Sequence, residues 1–322
     1  MKASQKQSTP PGTLKEKRSS RTLNSIRHMI HPKKPKTDNL NTDPPDNIPD
    51  VPAPNSADPE TPASACACHP QHLISLRTHF PMHIPESLFV QESYDKLVPL
   101  GFHKSNAIPC VSLCRDELTK PLLNAIDDAW ENEPDDTPTF AMHSLAGMVF
   151  LGKTGLTAAT HHAPIVDGVS RYVFYVFPHI GINTDGNVGK VKRHGIEKES
   201  TACGALIAFQ QELESGYLSL ELDTDDIEQS VLKQRMLKKI KFGSPVPSIA
   251  ELTQVAYQVC LEDLKRLITS VIHGERADYA VFTGVQINSG GRLNFIWPGE
   301  CYAVIDGKRH ELSDWSEHTP AN

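Results

Sequence analysis

With 322 residues the chain has the length of about two average domains, but 11 of its 25 prolines fall in the first 65 residues, which hold almost no bulky apolar side chains. Such a segment cannot bury enough surface to offset the entropy of ordering it, so residues 1–70 are expected to be a disordered leader and 71–322 a single domain. The net charge of −7 divides into +9 over residues 1–36, −6 over 37–66 and −10 over 67–322, which excludes a nucleic-acid partner for the folded part.

The basic head of the leader includes Ser19-Ser20-Arg21-Thr22-Leu23, a composition compatible with an organelle transit segment. It has no apolar core of the kind a secretory signal needs, so a cytoplasmic, matrix or stromal location is expected. No apolar run is long enough for a membrane span. Seven cysteines, at 66, 68, 110, 114, 203, 260 and 301, form an odd set in a chain of ordinary size, which argues against a disulfide framework. Cys66, Cys68 and His69 close the leader as an incidental cluster, and order is expected to begin between His72 and Pro85.

Apolar residues at 118, 122, 125, 126 and 129 predict a helix over 118–130, with Pro121 in its first turn. Tyr172-Val173-Phe174-Tyr175-Val176-Phe177 reads as a strand buried on both faces, ended by Pro178. Ser200-Thr201 is expected to cap a helix over 202–214 that stops at Gly216. Acidic residues early and lysines late predict a helix over 225–241, and a wide apolar face predicts a long one over 249–272. Strands are expected over 279–287, 293–297 and 302–305. Ser289-Gly290-Gly291 would turn the first hairpin and Asp306-Gly307 would reverse the chain after the third strand. Strands and helices intermingle, so the class is α/β.

Three polar positions lie at element boundaries, where open α/β sheets build their sites. They are Cys114-Arg115-Asp116 before the first of these helices, His179 after the buried strand, and Cys203 at a helix start. A thiol at a helix N-terminus is expected to ionise early. Two thiolates and an imidazole suit Zn2+, and three protein ligands leave a position open for solvent. Asp116 would either close that position or turn away to pair with an arginine. The separations of 65 and 24 residues match no local zinc finger. On the residues alone, a buried structural cysteine or a satisfied core histidine is the commoner fate of any one of them.

The order Ser112-Leu113-Cys114-Arg115-Asp116-Glu117-Leu118, Leu145-Ala146-Gly147-Met148-Val149-Phe150, Ala159-Thr160-His161-His162-Ala163-Pro164, Phe177-Pro178-His179-Ile180-Gly181-Ile182, Ser200-Thr201-Ala202-Cys203-Gly204-Ala205-Leu206, Thr283-Gly284-Val285-Gln286-Ile287 and Trp297-Pro298-Gly299 resembles the limiting-CO2-inducible protein B/C family, theta-class carbonic anhydrases. The likeness spans roughly residues 85–310. It implies a β-carbonic-anhydrase-like fold, a mostly parallel central sheet flanked by helices, and a homodimer or a hetero-oligomer with a paralogue. It further implies zinc held by Cys114, His179 and Cys203, with reversible hydration of CO2 to bicarbonate by a metal-bound hydroxide. Where classical relatives carry an arginine two residues after the aspartate, this chain has Leu118. Arg193 is the first expectation for the partner of Asp116, and Arg115 the second. His162, with His161 beside it, is expected to relay protons. Strand and loop residues near Phe177 and Ile180 are expected to wall the CO2 pocket.

A catalytically silent zinc-fold protein acting through complex formation in inorganic-carbon handling would carry nearly the same sequence. A zinc deaminase would need Cys-x-x-Cys, which is absent. A nucleophilic Cys203 with His179 as base is a further alternative, which bound zinc would count against.

Overall fold

Aromatic and β-branched runs, buried on both faces, form the centre of the molecule. The structure, a computed structural model, describes residues 69–133, 138–193, 195–272, 276–289 and 293–315. The leader to residue 68, with Cys66 and Cys68, and the turn residues Gly290 and Gly291 lie outside the described residues. The first elements are α1 (Pro70–His79), β1 (Ile84–Pro85), α2 (Glu86–Leu97), β2 (Ala107–Leu113), α3 (Lys120–Trp130) and β3 (Phe140–Ala141). Then come α4 (Gly152–Thr160), β4 (Ile165–Val166), β5 (Val169–Phe177), β6 (His179–Ile182), β7 (Lys190–Val191) and β8 (Ser200–Thr201). The chain ends with α5 (Gly204–Ser215), α6 (Ile227–Leu237), α7 (Ile249–Val271), β9 (Ala277–Ser289), β10 (Phe295–Ile305) and β11 (Lys308–Glu311).

The main sheet runs β1-β10-β9-β5-β2-β3, and its centre, β9-β5-β2-β3, is parallel. This is the α/β class with a parallel centre that the sequence predicts. On one face α2 and α3 cover Phe89, Leu122, Ile126, Tyr175 and Phe282; on the other, α4 to α7 cover a second core around Phe174, Val176, Leu264 and Val281. A third cluster joins α1 to β6 through Leu76, Phe80, Ile180 and Ile182.

Strands β5 and β6 share one register along β9, Ser170 pairing with Ala277 and His179 with Gln286, so Pro178 interrupts a single line of chain. Beside it, β2 pairs with β5 as far as Leu113 opposite Phe177. Beyond that pair, Cys114 bridges to Ser144 while His179 continues along β9, so both stand at the carboxyl ends of the strands.

The first helix among the described residues, α1, starts at Pro70, ahead of the stretch from His72 to Pro85, and buries His72 and Leu76. The helix expected over 118–130 starts as a 3-10 turn, Glu117–Thr119, before α3. The expected strands 293–297 and 302–305 are one strand, β10, whose register shifts between Pro298 and Cys301. That bulge absorbs a proline and a glycine that read in sequence as an end. Ser200-Thr201 does not cap α5: it forms β8 against β7, and Cys203 stands at the N-cap without a side-chain cap bond. The long helix begins at Ser248, which with Glu251 makes a reciprocal capping box.

Candidate metal centre

Cys114 follows β2, His179 opens β6 and Cys203 precedes α5, and their ligand atoms lie within 4.8 Å of one another, all buried. The two Sγ atoms are 3.8 Å apart. Two sulfurs at zinc-bond length on a tetrahedral ion stand about 3.8 Å apart, so the thiol pair has the spacing of two ligands. His179 Nε2 is buried and makes no hydrogen bond among the described residues. An orphaned nitrogen beside two thiols fits a metal ligand better than a satisfied core histidine.

Its other nitrogen is engaged. His179 Nδ1 lies 2.8 Å from Asn288 Oδ1, and Asn288 Nδ2 donates to the Leu118 carbonyl at 3.0 Å.

Asp116 faces the cluster from the turn before α3. Its Oδ2 is 3.9 Å from His179 Nε2, beyond hydrogen-bond reach. Arg193 grips it with two parallel bonds, Nη1 to Oδ1 at 2.9 Å and Nη2 to Oδ2 at 2.8 Å, while the Leu118 amide donates to Oδ1 at 3.1 Å. Arg193 is held in turn by Ser200 Oγ, at 2.8 Å, and the Thr201 carbonyl, at 3.0 Å, and it also meets Glu117. Ser200 and Thr201 thus position the guanidinium rather than cap a helix. Arg115 turns outward to Glu228, at 2.7 Å.

Two glycines allow the close packing around these residues. A Cβ on Gly147, whose φ is +69°, would stand 2.4 Å from the Phe177 carbonyl oxygen, so the 145–147 turn packs directly on the strand end before His179. A Cβ on Gly181 would stand 2.8 Å from the Lys190 carbonyl oxygen. The absence of a side chain there lets the segment leading to Arg193 lie against β6.

The electrostatics follow this arrangement. A hydrogen bond from Cys203 draws the Cys114 thiol down to about 4, against the opposing effect of burial and with help from His179. Cys203 is raised, first by the neighbouring Cys114 and then by burial. The sequence expectation assigned the early proton loss to Cys203 at the helix start. The two thiols titrate as one coupled pair, which loses its first proton early because the remaining thiol donates a hydrogen bond to the thiolate. Partial burial works against the Asp116 carboxylate, but the Arg193 fork and the imidazole of His179 more than offset it and hold its pKa below the usual range. Burial likewise opposes a charged His179, and Cys114, Asn288 and Asp116 together carry its pKa upward.

Other expected residues lie elsewhere. Phe177 packs edge-on against Phe89 in the core under α2, and Ile180 belongs to the core under α1. Cys114 and Cys203 belong instead to the core cluster that also holds Met142, Ala146, Met148 and Leu206. His162 stacks at a tilt 5.4 Å from Phe140 and lines a cavity of about 280 Å³ with Lys104, Ala107, Ile108 and Trp130. That cavity is at the entry end of β2, whereas Cys114 is at its exit. Asn288 carried no signal in the sequence, since a polar residue at the end of an apolar run reads as a strand terminus.

The chain matches the family model of limiting CO2-inducible proteins B/C beta carbonic anhydrases over residues 83–305. It is similar to a crystal structure of the limiting CO2-inducible protein LCIB, with 30% identity and a TM-score of 0.61 over 73% of this chain and 96% of that one. It is also similar to PtLCIB4, a homolog of LCIB, with 25% identity and a TM-score of 0.63 over 74% of this chain and 98% of that one. Among curated proteins no match is found. No helix among the described residues is long and apolar enough to cross a membrane. With the family model spanning most of the chain and the LCIB structure matched almost end to end, the chain belongs to the limiting CO2-inducible protein B/C family, whose fold and carbonic-anhydrase-like character it shares.

Proposed function

We propose that this protein catalyses the reversible hydration of CO2 to bicarbonate on a zinc ion held by Cys114, His179 and Cys203. The reading is carried by one observation: Arg193 clamps Asp116 beside three converging ligand atoms, so the carboxylate does not occupy the fourth position. A zinc ion there would supply the Lewis acidity that makes a hydroxide nucleophile available near neutral pH.

The rest of the work falls to the chain. Cys114 and Cys203, as thiolates, balance the charge of a divalent ion, which suits turnover that rises with pH above neutrality. Asp116, ionised and fixed by Arg193, accepts a hydrogen bond from the attacking oxygen and aims its lone pair at carbon. The same grip keeps the carboxylate from becoming a fourth ligand. The buried cluster to which both thiols belong, with Met142, Ala146, Met148 and Leu206, is an apolar environment in which uncharged CO2 is favoured over water. Residues 71–322 acting as one domain, in a homodimer or with a paralogue, belong to the same proposal.

Stopped-flow CO2 hydration on wild type and Cys203→Ala, with zinc content measured on the same samples, tests the reading. Wild type should carry about one zinc per chain and hydrate CO2, and Cys203→Ala should lose both. A wild type that keeps its zinc yet shows no hydration at any pH would point instead to a silent zinc-fold protein acting in a complex.

A further inference from the structure

Behind the three candidate ligands runs a second line of buried contacts, and it converges on one amide. Asn288, only 1% exposed, lies on β9 opposite Gly181, two residues beyond the pairing of His179 with Gln286. Residues two apart on a strand share a face, so Asn288 and His179 lie on the same side of the sheet. Gly181 offers no side chain between them, and Asn288 reaches back to the imidazole.

The amide cannot be turned round. Asn288 Nδ2 donates to the Leu118 carbonyl, which can only accept, so Oδ1 is the atom facing His179. An amide oxygen can only accept as well, so His179 Nδ1 must carry the proton and donate. Nε2 is then left with its lone pair toward Cys114 and Cys203 whenever the ring is neutral. The Leu118 backbone does a second job, since its N–H donates to Asp116 Oδ1 at 3.1 Å. The backbone of one residue therefore holds the carboxylate through its N–H and, through its C=O and Asn288, the imidazole.

We propose that Asn288 is a positioning residue: it sets the tautomer and ring orientation of His179 and, through the backbone of Leu118, ties that ligand to Asp116. The proposal rests on the reading of Cys114, His179 and Cys203 as metal ligands. Hydrogen-bond partners that orient a ligating histidine typically contribute about 10–100-fold to metal affinity.

Two variants separate positioning from packing. Asn288→Leu keeps the approximate volume and removes both hydrogen bonds, while Asn288→Asp keeps the acceptor for Nδ1–H and loses only the donor to Leu118. Zinc affinity is read by competition with a chromophoric chelator, and the Nδ1–H proton of His179 is followed by NMR in 15N-histidine-labelled protein, with and without zinc. Asn288→Leu should bind zinc about 10–100-fold more weakly and lose the exchange-protected Nδ1–H signal. Asn288→Asp should keep the signal and stay within several-fold of wild type. The proposal is overturned if Asn288→Leu binds zinc within twofold of wild type with the proton still protected, or if both variants weaken binding equally. Should wild type itself bind no zinc, the proposed function falls, while the Nδ1–H signal in the metal-free protein still decides whether Asn288 orients the ring.

Discussion

Cys114 leaves one end of β2, and Ala107 enters at the other beside a cavity of about 280 Å³. The cavity end has the volume, with a lysine, a histidine and aromatic walls, but its described polar groups do not converge on one point. Thr139 there is turned to Asp127, at 2.7 Å, and Lys104 lies over the ring of Tyr94. At the Cys114 end, three ligand atoms and a clamped carboxylate meet. Cavity volume marks where a small molecule would fit, whereas aimed lone pairs and a fixed charge mark where a reaction is supported. Because both ends belong to one strand, substitutions at each test the contrast within a single fold.

After loss of a thiolate, the largest effect is expected at Arg193. Arg193→Ala removes both bonds that hold Asp116 back and leaves a carboxylate 3.9 Å from His179 Nε2, free to turn toward the open position. Zinc should be retained or held more tightly, while CO2 hydration falls by about 100-fold, the usual scale for one preorganised electrostatic group. Zinc stoichiometry and stopped-flow rates on the same preparation separate the two effects. Hydration within twofold of wild type would mean that the clamp does not govern the open position.

A third buried polar pair lies two residues along β9 from Asn288. Gln286 Nε2 donates to Glu86 Oε2 at 2.7 Å, and Gln286 Oε1 has no partner among the described residues. Among the described residues no cation offsets the burial of Glu86, and its pKa rises to about 7. Below the unfolded value of 4.5 the carboxyl is protonated in both states and contributes nothing. Between there and about 7 the unfolded chain releases its proton first, so stability falls as pH rises, by about 3 kcal/mol in all. Glu86→Gln removes that loss and supplies a donor for the orphaned oxygen. Thermal unfolding should show the variant more stable than wild type at pH 8 and little changed at pH 4. Equal shifts at both would mean that folding does not raise the pKa of Glu86. Hydration should be unaffected, which distinguishes burial without charge pairing from the arrangement at Asp116.

Much of the site is legible in the sequence because its residues stand at the ends of strongly patterned elements. The run from Tyr172 to Phe177 announces a doubly buried strand, Pro178 marks its end, and His179 follows at the sheet's carboxyl edge. Strand β2 escapes notice because Pro109 lies within it. Its other neighbour, β3, pairs only at Cys110 and Val111, so the missing N–H at Pro109 falls where that side of the strand is open. The partner of Asp116 is 77 residues away, and no local period encodes such a distance. Arg193 was reachable only because the position two after the aspartate is Leu118, which sends the search elsewhere. Asn288 lies beyond that reach, since its role depends on the gap left by Gly181 on the neighbouring strand.

The smallest expected effect is at the cavity end. His162→Ala should leave CO2 hydration within about twofold of wild type in both dilute and concentrated buffer, because the imidazole lines a cavity bounded by Ala107 and Ile108. From Ile108 to Cys114 is six residues of extended chain, about 20 Å at roughly 3.3 Å each. A relay over that length needs intermediate carriers, and β2 between these residues is wholly buried and apolar apart from Ser112, whose hydroxyl is directed to the Met142, Gly147 and Met148 carbonyls. Protons leaving the Cys114 end would then pass to buffer by a route that does not involve His162. A rate that collapses only in dilute buffer, and recovers when imidazole is added, would show that the two ends of the strand are coupled and that the contrast between them is drawn too sharply.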